Sequence, residues 1–419
     1  MNSKSNYLEE HLDDVRAEFD LTNYWTFFNA ADQMLPGNYW LKAMRDCLDF
    51  QERGRMEDIP VQDIATHPFL TSVVYEAVEK SAQLIGADPE EVCLAYRPMQ
   101  VCNLVVNDIL DWKKGDNVVL TDLQYPSFGY IFMGLRDRYG VELRVVKNVD
   151  GEIRMEDLEK AIDDNTKLVS INRTTAFCGF TYDVKEVCKL AHRHGAYVMD
   201  DAFQAVGAIK IDVHDDDVDF LMTGSYKWQC GPEGAGFFYI RKDLIPRFNP
   251  SWRNYLAIEM PRGIPFSLGD HDNMTDWDQP SIHTAAKFST ESVTTPSAFG
   301  WLATLRFYEK LGMENIDRRV RRLGQYAIGA LREVGVKFTG PTDPEKMHGL
   351  VTYTTGSYES DLECFQRFSA PPIGKRPIKV SLRALGGVGN LRVSTHFFNT
   401  EEEIDELARR QGEMLAGRK

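Results

Sequence analysis

Ala196-Tyr197-Val198-Met199-Asp200-Asp201 and, further along, Asp219-Phe220-Leu221-Met222-Thr223 running into Gly224-Ser225-Tyr226-Lys227-Trp228 decide how this chain folds. Each is a short apolar run that closes on polar residues, the pattern of a strand buried on both faces of a parallel sheet. Upstream of the first, Val184–His194 has helical periodicity and stops at Gly195, a C-cap residue. Working outward, further strand-like runs are Val118–Asp122, Glu142–Lys147, Lys167–Asn172 and Gly236–Arg241, with helical stretches between them. This alternation predicts an α/β chain whose mostly parallel sheet is covered by helices on both faces. Ligands of such sheets bind beyond the carboxyl ends of the strands. Asn172, Asp201 and Thr223–Lys227 fall at those ends, and Tyr125 falls just after one.

The 419 residues suffice for one large domain and a smaller one, and 43% apolar with 26% charged residues is ordinary for a folded soluble chain. A net charge of −15, without a basic stripe, argues against a nucleic acid or an anionic membrane as partner. No apolar run has the length of a membrane span, and Met1-Asn2-Ser3-Lys4-Ser5 followed by Glu9, Glu10, Asp13 and Asp14 lacks the core of a signal peptide. A cytoplasmic location is the expectation. The seven cysteines (Cys47, Cys93, Cys102, Cys178, Cys188, Cys230 and Cys364) show no paired zinc spacing and read as reduced, mostly buried thiols. No metal site is expected.

Residues 246–290 are irregular and rich in Pro, Trp, His and Asp, as in a loop that covers a site. Helical periodicity resumes at Ala298–Lys310 and Ile316–Val334, and Thr400-Glu401-Glu402-Glu403 reads as a capping box opening a last helix. The expected organisation is an N-terminal segment 1–30, a large domain 31–290 and a small C-terminal α+β domain 291–419.

Lys227 lies in a Gly-rich turn followed by Gly231-Pro232-Glu233-Gly234-Ala235-Gly236, between two strand-like runs. Such an amine can be desolvated and used as a nucleophile. Asp201, at the end of an earlier strand, suits a partner that stays anionic opposite a cationic ring nitrogen. Either residue alone is commonplace on a protein surface. Together they describe a site for pyridoxal 5'-phosphate.

Asp201-Ala202-Phe203-Gln204-Ala205-Val206-Gly207, Tyr226-Lys227-Trp228, Gly234-Ala235-Gly236-Phe237, Leu391-Arg392-Val393-Ser394 and Phe398-Asn399-Thr400 form a specific set. On these residues the chain resembles the class V aminotransferases, fold-type I pyridoxal phosphate enzymes that include cysteine desulfurases, selenocysteine lyases and isopenicillin N epimerase-like proteins. The resemblance runs from about residue 65 to the C-terminus. It implies that Lys227 carries the cofactor as a Schiff base and moves the substrate's α proton. It further implies that Asp201 pairs with the ring nitrogen, Gln204 donates to the ring 3-oxygen, Tyr125 stacks on the ring and Arg392 grips the substrate carboxylate. Asn172 matches a second ring-oxygen contact. Where the family has a small residue and threonine opening a phosphate-binding helix, this chain has Arg97-Pro98-Met99-Gln100. The phosphate would then rest on the amides of Met99 and Gln100, on Ser225 and Tyr226, and on Ser292 reaching across a homodimer.

The cofactor's electron sink supports several reactions on one scaffold. No cysteine lies between Lys375 and Leu391, where persulfide-forming desulfurases carry one; the nearest upstream of Arg392 is Cys364. The leading expectation is a C–S lyase acting by β-elimination on an L-amino acid or conjugate. An aminotransferase or epimerase of the same build is the alternative, and a non-catalytic relative keeping the fold is the alternative of another class.

Overall fold

The protein is described by a computed structural model, which covers residues 7–53, 68–254, 257–259, 278–290 and 294–417. Thirteen strands are present among these residues: β1 (Thr26–Phe27), β2 (Val92–Leu94), β3 (Asn117–Thr121), β4 (Glu142–Val146), β5 (Thr166–Asn172), β6 (Tyr197–Asp201), β7 (Phe220–Gly224), β8 (Gly236–Ile240), β9 (Lys337–Phe338), β10 (Leu350–Thr354), β11 (Ile378–Lys379), β12 (Ser381–Leu385) and β13 (Val388–Ser394). Seven form the main sheet in the order β2-β8-β7-β6-β5-β3-β4. β7, β6, β5, β3 and β4 run parallel, whereas β8 is antiparallel to β7 and β2 to β8. Strand β2 was not legible beforehand: three residues are too few to display a period.

Apart from the partly exposed edge strand β4, both faces of this sheet are buried, and the period of two distributes its side chains strictly. Val118, Leu120, Leu168, Met199, Phe220, Met222 and Phe238 enter one core, with Phe128, Phe132 and Leu135 of the helix Pro126–Tyr139. Val119, Val169, Ile171, Val198, Leu221, Phe237 and Tyr239 enter the other, with Val187 and Leu190 of the helix Val184–Arg193 and Trp301, Leu302 and Leu305 of the helix Thr295–Leu311. The parity then places the polar strand ends. Asn172, Asp201 and Gly224 share the face of Leu168, Met199 and Met222. Arg173 and Asp200 share the opposite face, where they pair at 2.7 Å and tie β5 to β6.

A second, antiparallel sheet has the order β12-β13-β10-β9. Tyr353, Leu391 and Val393 face a third core with Leu323 and Ile328 of the helix Met313–Glu333 and Ile404 and Leu407 of the helix Glu401–Ala416. Arg392, between Leu391 and Val393, points the other way. The Thr400–Glu403 capping box is present. The N-terminal segment joins this region: β1 pairs in parallel with β11, and Asn29 bridges to Ser394. The described part of 246–290 includes the 3-10 turn Ala285–Phe288, and the 3-10 turn Lys242–Arg247 runs into it. All seven cysteines are free and buried. No helix among the described residues is long and apolar enough to cross a membrane.

Candidate active site

The site is assembled at the carboxyl ends of β5, β6 and β7, on the face set by the parity of those strands. Asp201 closes β6 and is almost wholly buried. Its carboxylate accepts from the Asn172 side-chain amide and, at 3.2 Å, from the Phe203 backbone N–H. Burial pushes the carboxyl up to about 7, against these donors and the nearby Lys227 cation. Asn172 is thus committed to Asp201 through its amide nitrogen, while its Oδ1 is buried with no partner among the described residues.

Lys227 follows β7 in a tight turn. Burial, with the charge of Arg392, pushes its amine down to about 8, although Asp201 and Asp32 pull the other way. The Nζ has no hydrogen-bond partner among the described residues. It lies 4.3 Å from the centre of the Phe203 ring and 5.6 Å from that of Tyr125. Tyr125 is the N-cap residue of the helix Pro126–Tyr139, and its ring is near-parallel to Phe177 at 6.4 Å.

The Lys227 turn is held from several sides. Tyr308 and His396 both donate to the Trp228 carbonyl, His396 from Nε2 at 2.7 Å while its Nδ1 accepts from the Phe397 N–H. Cys230 takes a left-handed conformation (φ 53°). Gly207 also sits in that region at φ 89°, and a Cβ there would lie 2.4 Å from the Trp228 carbonyl oxygen. Gly207→Ala is therefore expected to cost about 2 kcal/mol or more of stability and to displace the turn. Urea unfolding would register the first effect, and slower reaction of Lys227 with an aldehyde the second.

Arg392 is buried on β13 and donates to the Ala176 carbonyl at 2.6 Å and, through Nε and Nη2, to Ser381 Oγ. These bonds aim the guanidinium across from the second sheet toward the loop after β5. Burial pushes its pKa down to about 10, partly offset by Asp32.

Lys227, Asp201, Asn172, Tyr125 and Arg392 are thus brought together. Of the remaining residues, Gln204, Ser225 and Gln100 are placed nearby with polar groups already engaged. Gln204 donates to the Ala31 carbonyl at 3.0 Å and accepts from Trp228 Nε1 at 2.7 Å, so it braces the turn. Ser225 donates its hydroxyl to the Pro232 and Ala235 carbonyls inside the turn. The Gln100 N–H is bonded to the Arg97 carbonyl at 3.0 Å, and the Met99 side chain packs on the core beneath the helix Pro98–Asn103. Tyr226 sets its ring edge on Phe203 at 5.0 Å, and burial raises its hydroxyl pKa. Ser292 lies outside the described residues.

Three site residues escaped the sequence reading. Phe203 was visible only as one apolar residue in a run, yet it lies against the amine. Its ring and Pro98 crowd Gly224, where an added Cβ would meet them at 3.1 and 3.2 Å and push them aside by a few tenths of an ångström. Asp32 and Arg383 form an ion pair of 3.0 Å beside Arg392. Neither stands in a pattern that announces it.

A family model described as aminotransferase class-V matches residues 65–407. A cysteine desulfurase of Haloferax volcanii is 28% identical over 347 residues, covering 80% of this chain and 78% of the relative. A probable cysteine desulfurase of Pyrococcus abyssi is 25% identical over 407 residues, 94% and 95% of the two chains. Among solved structures, the apo cysteine desulfurase of Thermococcus onnurineus superposes with a TM-score of 0.80 at 24% identity, covering 97% of this chain and 98% of that one, a likeness of fold.

Proposed function

The chain belongs to the class V aminotransferase family, and from that premise we propose that it is a lyase cleaving the carbon–sulfur bond of an L-amino acid or amino-acid conjugate by β-elimination. Pyridoxal 5'-phosphate is its cofactor; when bound, it supplies an electron-accepting ring that stabilises negative charge at the substrate's α carbon. The residues present fit that group. Among the described residues, a buried amine without a hydrogen bond stands near a buried carboxyl whose charge needs a cationic partner, and the Asn172 Oδ1 beside them lacks a donor.

In this reading Lys227 holds the cofactor through Nζ and takes the substrate's α proton at the same atom. Asp201, fixed by Asn172 and the Phe203 N–H, keeps a negative charge opposite the ring nitrogen. Arg392 binds the α-carboxylate and so fixes which bond at the α carbon faces Lys227. Tyr125 and Phe203 flank the amine and exclude water. Gln204 braces the turn, with one amide hydrogen left for a ring oxygen. With the Gln100 amide and the Ser225 hydroxyl both engaged, the phosphate would rest on Met99, Tyr226 and the segment around Ser292 of a second copy, which makes a homodimer part of the proposal.

The observation that carries the reading is the Lys227 amine, without a hydrogen bond among the described residues and within the fields of Asp201 and Arg392. Two further points bear on the sulfur chemistry, and the second favours elimination over transfer to an enzyme thiol. The cysteine desulfurase names of the two relatives support a sulfur-bearing substrate. In this chain, though, no cysteine is exposed, and Cys364 is buried on the helix Tyr358–Ser369 and accepts from Gln411. The test is to supply L-cysteine, L-cystine and S-conjugates and measure keto acid, ammonia and released sulfur. Equal yields of keto acid and ammonia are expected; amino transfer without ammonia, or an inverted amino acid, would replace elimination.

The lowered pKa of Lys227 gives a pH prediction. Only the neutral amine attacks an aldehyde, so loading of the apoprotein with pyridoxal 5'-phosphate should quicken about tenfold per pH unit below the pKa. It should level off above about 8. A stopped-flow record of chromophore formation checks this, and an inflection near that of an ordinary lysine would contradict it.

A further inference from the structure

Ser381 faces Arg392 across β12 and β13, and Arg383 pairs with Asn390 two positions along. The period of two therefore puts Arg383 and Arg392 on one face of the second sheet, the face turned to Lys227. Two guanidiniums side by side would draw in a dianionic ligand. Asp32 alters that balance. Its Oδ1 is 3.0 Å from Arg383 Nη2 and 3.9 Å from Arg392 Nη2. Burial works against its charge, but Arg383 and Arg392 outweigh burial and hold the carboxyl below its usual range. Asp32 is also fixed in place. Its N–H bonds to the Asn29 carbonyl at 3.0 Å, and the preceding Ala31 N–H bonds to Ser394 Oγ at 3.1 Å.

We propose that Asp32 is a specificity determinant that occupies Arg383 as a built-in anion, so that the subsite beside Arg392 accepts α-amino acids with one carboxylate and rejects those with a second anionic group. Two cations and one anion leave a single positive charge, which one α-carboxylate on Arg392 neutralises. A side-chain carboxylate or sulfinate would have to take Arg383 from Asp32 and then lie beside the displaced carboxylate. Like charges so placed are a means of refusing a ligand, as distinct from holding the right one more tightly. Because the Asp32–Arg383 pair is half exposed, it contributes little to folding. Its substitution is therefore readable as a change in recognition.

This inference rests on the amino-acid reading above, and the experiment separates the two. The cofactor-loaded protein is titrated with L-alanine and with L-aspartate, following the absorbance of the bound chromophore. Half-saturation with alanine is expected at a concentration at least about tenfold lower than with aspartate. In Asp32→Asn that preference should fall about tenfold, because Arg383 becomes free for the second carboxylate. Adding Arg383→Ala to Asp32→Asn should restore the preference for alanine. An unchanged preference in Asp32→Asn, or none in the wild type, overturns the inference alone. No spectral response to either acid overturns the amino-acid reading and this inference with it.

Discussion

Lys227→Ala is expected to lack the borohydride-sensitive absorbance of the loaded protein and to lower turnover by at least about 10³-fold. Both effects have one origin in the proposed mechanism, in which the same Nζ holds the cofactor and moves the proton. The substitution should leave the fold intact. The Lys227 amine is buried, pushed down in pKa and without a hydrogen bond among the described residues, so alanine strands no hydrogen-bonding group there. Asp201, whose carboxyl pKa burial already raises, can take up a proton in its absence. The apoprotein variant should therefore melt at or above the wild-type temperature, and the loss of activity cannot then be ascribed to unfolding. A variant that keeps the reducible chromophore would show that another lysine carries the cofactor. Lys287, also buried, donates to the Ile245 carbonyl instead and is the natural control.

Asp201→Asn should lower kcat by about 10²–10³-fold, the scale seen when a preorganised charge or donor is removed from a water-excluded site. The substrate carboxylate still meets Arg392, so KM should change far less. Stability has the opposite sign. The folded-state pKa of Asp201 is raised to about 7 by burial. Folding is thus favoured by this group below the pKa of an unfolded aspartate, and that contribution is lost as pH rises through the folded value. The apoprotein of Asp201→Asn, which carries no such charge, should therefore melt higher than the wild type at pH 8 and close to it at pH 4. A variant that melts below the wild type at pH 8, by a margin that shrinks toward acid pH, would mean that Asp201 is charged and well paired before the cofactor arrives.

How much of this was legible follows from what a linear sequence encodes. Strands β3 to β8 were found within a residue or so of their ends. Strands β3 and β5 to β8, buried on two faces, are mostly apolar, and Asp201 and Asn172 stand where β6 and β5 stop, whereas the edge strand β4 is partly exposed. Arg392 was found through its resemblance, and β13 explains it: one polar side chain between Leu391 and Val393 must leave the core they enter. Hydrogen-bond destinations were not legible. Ser225 and Gln204 were read as cofactor donors, but the carbonyls of Pro232, Ala235 and Ala31 reach them through turns and long-range contacts that no local pattern specifies. Asp32 and Arg383, 351 positions apart, meet only because the N-terminal segment lies along the second sheet.

That lacing has a consequence for biosynthesis. β1 pairs with β11, Asn29 bridges to Ser394, the Ala31 carbonyl accepts from Gln204 and the Met34 N–H bonds to the Tyr226 carbonyl. The first strand among the described residues thus waits for one of the last three, Thr26 pairing with Ile378, 352 positions further on (378 − 26). A nascent chain emerging from the ribosome can complete the seven-stranded sheet long before residues 378–394 exist, but it cannot complete the site. Until then Arg392 is absent, so from residue 227 to residue 392 of its synthesis the growing protein carries the Lys227 amine in an unfinished and unselective site.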